Sequence, residues 1–364
     1  MNNLTTYKKF ADCIPVRGYL RSIIMDLTRQ SFKLIPNDLC DTLSSNHLSD
    51  VTIGDDYIEF LLENEFVYCC SYQEKELYPE ICTIWDYPSL ITNVVYEVGA
   101  EGVSEEIISQ LIDLGCKHFV FVWQENCSIY KLKECSDFFN DTSVMTIDIY
   151  LKYKEAIDIG ELKSILKNNP RINYILLYEA SCQKVISEDG VRGNLVLYNK
   201  SISWSRTYIN PQDFSVNMPL YTESLHYNTF YNRKVCITVD GDIKNYFTSY
   251  RSFGNVKKES IRDIISQAEF QKYWKVNKDK IAICRDCEFR YMCVDARIPL
   301  RTNSGGYYFD ENSKCPYNPY ICLWEGQDGY VPVEECGTYS RETGFVPNKK
   351  KIAQLNKLIW GEEE

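Results

Sequence analysis

The sequence predicts an α/β chain in three successive parts. A small winged-helix-like module is followed by a partial (β/α) barrel or open parallel sheet, and then by a Cys-rich metal-binding domain. Three observations carry that reading. Apolar strand-like runs centred near residues 95, 120, 147, 175 and 196 recur about every 25 residues, the length of a βα unit with short loops. A hairpin, two helices and a strand precede them. The stretch "CRDCEFRYMC", Cys284 to Cys293, follows them. The segments expected are 1–75, 76–230 and 231–340, with a closing helix at 341–364.

In the first segment, "YLRSIIMDLTRQSFKLIPNDLCDTL" reads as two strands around a turn at Thr28 to Gln30, then a helix. Pro36 suits the helix start. "GDDYIEFLLENE" gives a second helix with Ile58, Leu61 and Leu62 at helical spacing and two Asp at its positive end. "FVYCC" closes the module as a strand.

The second segment alternates. "ITNVVYEVG" is a strand; "SEEIISQLIDLG" is a helix capped by Ser104 and stopped by Gly115. "CKHFVFVW" is apolar on both faces, as in a covered parallel sheet. "VMTIDIYLKY", "GELKSILKNN", "RINYILLYEA" and "NLVLYN" continue as strand, helix, strand and strand. "KVCITVDGDIKNYF" then forms a hairpin on Asp240-Gly241, and "ESIRDIISQAEFQKYW" a helix. "KKKIAQLNKLIW" is a basic helix with Ile352, Leu355, Leu358 and Ile359 on one face, expected to dock on the protein's own body.

Composition bounds the function. Of 364 residues 45% are hydrophobic and 25% charged, which is ordinary globular usage. A formal net charge of -11 argues against a nucleic-acid partner, because phosphate binding needs clustered Lys and Arg. No apolar run approaches a membrane span, and the start lacks the apolar core of a signal peptide. A cytoplasmic chain is therefore expected. Its 16 Cys then read as reduced thiols, with clusters as metal ligands rather than disulfides. Cys69, Cys116 and Cys182 read as small buried hydrophobes.

Cys284, Cys287, Cys293 and Cys315 supply four soft thiolate ligands. Such a set suits Zn²⁺ or an iron–sulfur cluster and excludes oxygen-seeking ions. Spacing alone leaves zinc and iron open. No catalytic residue is assigned: P-loop, His-Glu-x-x-His, Gly-x-Ser-x-Gly and Gly-x-Gly-x-x-Gly motifs are all missing. Of the three His, His47 and His226 read as polar-loop residues and His118 as a satisfied structural residue at a strand start.

The run from Val235 to Cys315, through "ITVDGDIKNY", "FGNVKKESIRDI", "CRDCEFRYMCVDAR" and "KCPYNPY", resembles a SPASM domain. That is the auxiliary-cluster module following radical-SAM barrels in peptide-modifying enzymes. More narrowly, "CEFRYMC" with "CPYNPY" resembles the SPASM-domain peptide maturases of grasp-with-spasm systems, and "RGYLRSIIMDL" is similar to them too. The resemblance implies a radical-SAM-like middle part and one [4Fe–4S] cluster, rather than zinc, on Cys284, Cys287, Cys293 and Cys315. As partners it implies a precursor peptide and an ATP-grasp ligase; a homodimer is left open.

Two departures qualify it. Where two-cluster SPASM proteins carry further cysteines, this chain has Tyr246 and Ala296-Arg297, leaving Cys236, Cys322 and Cys336 as stand-ins for a second site. The Cys-x3-Cys-x2-Cys triplet that binds the S-adenosylmethionine cluster is also missing. The expectation is an accessory maturation protein. A redox-active peptide-modifying enzyme and a zinc-stabilised interaction module are the alternatives. The N-terminal module resembles peptide-recognition elements that bind a leader by strand addition, which here implies Ile58, Leu61, Leu62, Phe66 and Tyr68 as peptide contacts.

Overall fold

The computed structural model describes residues 6–44, 54–75, 77–123, 128–202, 209–247 and 249–361. The first elements are β1 (Thr6–Lys9), β2 (Cys13–Arg17), β3 (Ser22–Asp26), β4 (Ser31–Ile35), α1 (Asn37–Ser44), α2 (Asp55–Glu63), β5 (Val67–Cys70) and α3 (Tyr72–Lys75). The middle holds β6 (Asn93–Val98), α4 (Glu105–Asp113), β7 (His118–Trp123), α5 (Ile129–Asp137), β8 (Thr146–Lys152), α6 (Ile159–Asn168), β9 (Ile172–Tyr178), β10 (Lys184–Ile186) and β11 (Asn194–Tyr198). Then come α7 (Met218–His226), β12 (Lys234–Ile237), β13 (Ile243–Lys244) and α8 (Ile261–Ile265). The chain closes with β14 (Leu300–Arg301), β15 (Tyr307–Tyr308), β16 (Tyr317–Asn318), β17 (Leu323–Trp324), β18 (Gly337–Ser340), β19 (Gly344–Pro347) and α9 (Lys349–Trp360).

Two compact units result, each drawn from separate stretches of sequence. One comprises Met1–Trp85, Arg206–Phe230 and Lys275–Glu364; the other comprises Asp86–Ser205 and Tyr231–Trp274.

The second unit is built on a sheet of order β10-β11-β9-β8-β7-β6-β12-β13. Neighbours from β11 through β12 run parallel, and β10 and β13 add antiparallel at the ends. One sheet face buries Tyr96, Phe119, Phe121, Trp123, Ile149 and Leu177 against Leu111 of α4, Leu132 of α5 and Leu162 of α6. On the other face Val95, Val122 and Cys236 form a smaller cluster, so the strands are apolar on both sides, as parallel strands require. Ser104 accepts from the Ile107 amide to cap α4. Gly115 ends that helical turn at a φ of 85°, where an added Cβ would lie 2.6 Å from the Ser89 hydroxyl.

Three sequence readings change here. Helix α5 and strand β10 were not anticipated: α5 buries only Leu132, Cys135 and Ser136, too narrow a stripe to read as periodicity. The helix expected through Trp274 stops at Ile265, and the following turns bring Phe270 and Trp274 into the sheet core. The Asp240-Gly241 hairpin forms as predicted, but β12 pairs with β6 and so extends the parallel sheet.

In the first unit β2, β3 and β4 make an antiparallel sheet, with α1 following at Asn37. The strand expected to close this module does not join it. β5 pairs antiparallel with β1, because the reverse turn at Phe10–Cys13 turns the chain back, and Phe10 donates to Phe66. The β2–β3 sheet also packs on the Cys-rich segment: Val16, Ile23 and Met25 share a core with Phe289, Met292 and Tyr317. Helix α9 docks on this unit through Ile352, as expected, whereas Leu358 is 83% exposed. Among the described residues no helix is long and apolar enough to cross a membrane.

Cysteine burial also departs from expectation. Cys116 is buried, but Cys69 and Cys182 are exposed. Cys69 points outward between Val67 and Cys70 on a two-stranded ribbon, and Cys182 lies in the loop before β10. His47 lies outside the described residues. His226 ends α7 rather than lying in a loop, and its ring is hydrogen-bonded to the Thr83 carbonyl. His118 is bonded to the Thr146 hydroxyl at 2.7 Å, a structural role.

Candidate metal centre

The four predicted ligands come together by local turns rather than by regular structure. Residues Cys284–Asp286 form one 3₁₀ turn, closed by the Cys287 amide donating to the Cys284 carbonyl at 3.1 Å. Ile283, immediately before it, has a φ of 71°, a left-handed conformation that β-branched residues rarely adopt. The Arg290 guanidinium donates to the carbonyls of Cys287 and Arg17 and to Asp279, fixing the chain between the second and third cysteines. The β2–β3 turn braces the same stretch: Tyr19 donates its amide to the Asp286 carbonyl at 2.8 Å. Gly18 is required there, since a Cβ would lie 2.4 Å from the Arg21 carbonyl oxygen and 3.0 Å from the Glu288 Cβ.

Cys284, Cys287, Cys293 and Cys315 all line one cavity of about 60 Å³. Cys293 is buried and the other three are half-buried. Among the described residues, no three His, Cys, Asp or Glu side chains group closely enough to hold a metal ion. The four thiols thus border a shared space without converging on one point.

The same cavity is lined by an ionic triad that the sequence reading missed. Asp295 receives a two-pronged contact from Arg297, with Nε to Oδ1 at 3.1 Å and Nη2 to Oδ2 at 2.7 Å, and Lys278 approaches at 3.2 Å. All three side chains are almost fully buried. Arg297 also donates to the Ser313 carbonyl and lies 4.0 Å from the Phe309 ring centroid, tying the knuckle to the loop that carries Cys315. The "DAR" spacing was visible in the sequence, but burial of both charges was not.

Burial sets the electrostatics. It pushes the Cys293 thiol up to about 12 and Cys315 to about 11, raises Cys284, and lifts Cys287 well above its ordinary value. Lys278 opposes that rise at Cys284 and Cys293, and Arg297 opposes it at Cys284 and Cys315. Burial would also raise Asp295, but Arg297 and Lys278 hold its carboxyl well below the usual range. Burial thus favours the thiol over the thiolate, and binding a metal must release the protons. A cationic surplus of Lys278 and Arg297 over Asp295 is suited to thiolates that become charged.

A second buried network lies beside Cys287. Glu288, with no exposure, accepts from Arg21 at 2.9 Å and from the Tyr317 hydroxyl at 2.5 Å. It couples the β2–β3 turn to the cysteine run.

The three proposed stand-ins do not line this cavity. Cys236 packs between Val95 and Val122 in the sheet unit. Cys336 accepts from the Asn318 amide at 3.3 Å, and Cys322 contacts the Pro319 carbonyl. Of the expected peptide contacts, Leu61 and Phe66 are 0% and 3% exposed, packed with Leu39 and Leu43 in a core that a ligand cannot reach. Ile58 and Tyr68 are half-buried, Leu62 is exposed, and Tyr68 stacks between Phe10 and Tyr78.

Fold and site together define an α/β protein in which four cysteines border one cavity. Residues 231–288 match the SPASM family, an iron–sulfur cluster-binding domain. The match takes in Cys284 and Cys287 and ends before Cys293. Two structures of Streptococcus suis SuiB resemble the chain distantly. One is bound to S-adenosylmethionine (11% identity) and one to its precursor peptide SuiA (9% identity); each match covers 79% of this chain and 94% of that one, at a TM-score of 0.35. Those likenesses fall below the level at which a shared fold follows. No curated protein matches the chain.

Proposed function

We propose that this chain is an accessory maturation protein for a ribosomally synthesised peptide. It binds the precursor and assists a partner ATP-grasp ligase, and it carries one [4Fe–4S] cluster on Cys284, Cys287, Cys293 and Cys315. The observation that carries the cluster is the shared cavity. A lone Zn²⁺ holds four sulfurs at about 2.3 Å and leaves no space among its ligands. A cavity of about 60 Å³ bordered by four thiols suits a multi-atom group instead. The iron–sulfur family matched over residues 231–288 supports the same choice.

When bound, the cluster would brace its loops or carry an electron. The residues around it have separate tasks. Arg290 holds the loop between Cys287 and Cys293; Lys278 and Arg297 offset thiolate charge; Glu288, Arg21 and Tyr317 lock the cysteine run to the N-terminal sheet. Four cysteinyl ligands leave no open position, so the centre does not bind substrate. The peptide-maturation reading rests on "CEFRYMC" and "CPYNPY". The proposed division assigns recognition to residues 1–75, an inert barrel-like part to 76–230, the cluster to 231–340 and a docking helix to 341–364.

Anaerobic purification tests the cluster: brown protein with about four iron per chain is expected, and colourless protein with stoichiometric zinc would overturn it. The function is tested by the neighbouring genes and by co-purification. A short precursor and an ATP-grasp ligase that binds this chain are expected. With S-adenosylmethionine and a strong reductant, no 5′-deoxyadenosine above background is expected; protein-dependent turnover would establish the redox enzyme instead.

A further inference from the structure

We infer that Lys278 sets the reduction potential of the four-cysteine centre, its ammonium serving as the buried counter-charge for an electron that the cluster takes up. This rests on the [4Fe–4S] reading above and deepens it, because it makes the centre an electron carrier as well as a brace.

The observation behind it is a buried cation that shares its carboxylate. Arg297 and Asp295 already satisfy each other through their two-pronged contact, with 6% and 2% of the side chains exposed. Lys278 adds a second cation to the same carboxylate at 3.2 Å, with 11% of its side chain exposed. Taking an ammonium out of water is costly, and a carboxylate committed to a guanidinium repays that cost only in part. The position is nevertheless held firmly. Asn277 donates its side-chain amide to the Leu225 carbonyl at 2.7 Å, and Asn228 donates to the Val276 carbonyl at 3.1 Å. A surplus cation fixed in this way calls for an anion. Lys278 lines the cavity that Cys284, Cys287, Cys293 and Cys315 border, and its charge acts on Cys284 and Cys293.

Other charges on that cavity are matched or wet. Arg290 meets Asp279 at 2.9 Å and Lys314 meets Glu334 at 3.6 Å, while Asp310 and Glu311 are exposed and screened by solvent. A cluster on four thiolates is anionic, and one electron from a strong one-electron reductant adds a further negative charge as the donor is oxidised. The potential of such a cluster follows the net charge around it. A buried cation therefore favours the reduced form, and low-dielectric surroundings leave that effect unscreened. Asp295 acts in the opposite sense.

The test is an anaerobic redox titration of the full-length protein with dithionite. It follows the electron paramagnetic resonance signal of the reduced cluster, with iron measured in every sample. Lys278→Gln should lower the reduced-to-oxidised ratio at a fixed potential about tenfold, a downward shift of about 59 mV for one electron. Asp295→Asn should shift the potential upward. Lys278→Arg keeps the charge and should stay near the wild-type value. A purely bracing role would alter iron retention and leave the potential in place. Full iron with coincident potentials, or with Lys278→Gln and Asp295→Asn shifted in the same direction, overturns the assignment while the cluster stands. If Lys278→Gln loses its iron, Asp295→Asn decides: an upward shift supports the assignment, and a downward or absent one overturns it. A wild-type chain without iron overturns the cluster reading and this assignment with it.

Discussion

The parallel sheet and the cysteine-rich segment keep their shapes by different means. The sheet is held by continuous apolar burial: Phe119, Phe121, Phe139 and Trp123 pack ring against ring under α4, α5 and α6. From Lys275 to Lys314 the chain has only 3₁₀ turns and two-residue strands, and its buried groups include Glu288, Asp295 and Arg297, with Lys278 nearly so. Apolar burial is proportional to area and needs no particular partner. Buried charges contribute only when each is paired, and loops contribute little that is regular. The sheet unit is thus held by its own apolar core, whereas the cysteine segment adds to its core with β2 and β3 a few specific bonds and the metal we propose.

Removing one ligand should break that comparison most sharply. Cys287→Ser should release the metal and unfold the cysteine segment, because metal binding and folding are coupled. Metal analysis should show the loss, while amide exchange in β6 to β9 stays slow. Equal loss of protection in the sheet would show that the two regions do not fold separately.

Phe121→Ala reverses the experiment. Phe121 is 0% exposed at the centre of the sheet core. Its truncation should cost about 3–5 kcal/mol through the cavity left behind, measured by urea unfolding, with metal content unchanged. Arg297→Met should cost a similar amount or somewhat less, about 3 kcal/mol, by removing the two-pronged partner of buried Asp295 and leaving it Lys278 alone. Here the losses should fall on metal retention and on protection around Ser313. A variant that keeps its metal and melts normally would mean the triad is not needed to hold the cysteine segment.

Legibility in the sequence follows the same division. β6, α4, β7, β8, α6, β9 and β11 were all readable, because a period of two or 3.6 residues in apolar side chains is what their burial demands. The four ligands were readable because cysteine is chemically singular. What escaped was whatever depends on distant partners. Nothing local to "FVYCC" says that β5 pairs with β1, and nothing local to Asp295 says that Lys278 neutralises it. Leu61 and Leu62 differ by one position on α2, yet one is core and the other is 39% exposed. The shared core of β2, β3 and Phe289 was likewise invisible, since its parts lie more than 250 residues apart in sequence.

The smallest expected effect probes a poorly accommodated charge in the sheet. Asp148 lies on β8 opposite Val120 and Tyr174, at a register shift beside Ile147, and its Oδ1 is buried with no hydrogen-bond partner. Burial raises its pKa to about 6, although Asn173 and Tyr174 pull it down. With a folded value above the unfolded 3.8, the native state holds the extra proton between these two values. Stability therefore falls as pH rises through that window, and the cost is complete by pH 7. Two pKa units would amount to about 3 kcal/mol, and partial exposure reduces that to about 1–2 kcal/mol. Asp148→Asn should accordingly stabilise the sheet unit by that amount at pH 7.5 and change little near pH 4, where the native carboxyl is already protonated. Urea unfolding of both proteins at the two pH values measures the difference. An equal effect at both would mean that the substitution acts through packing and not through the buried charge.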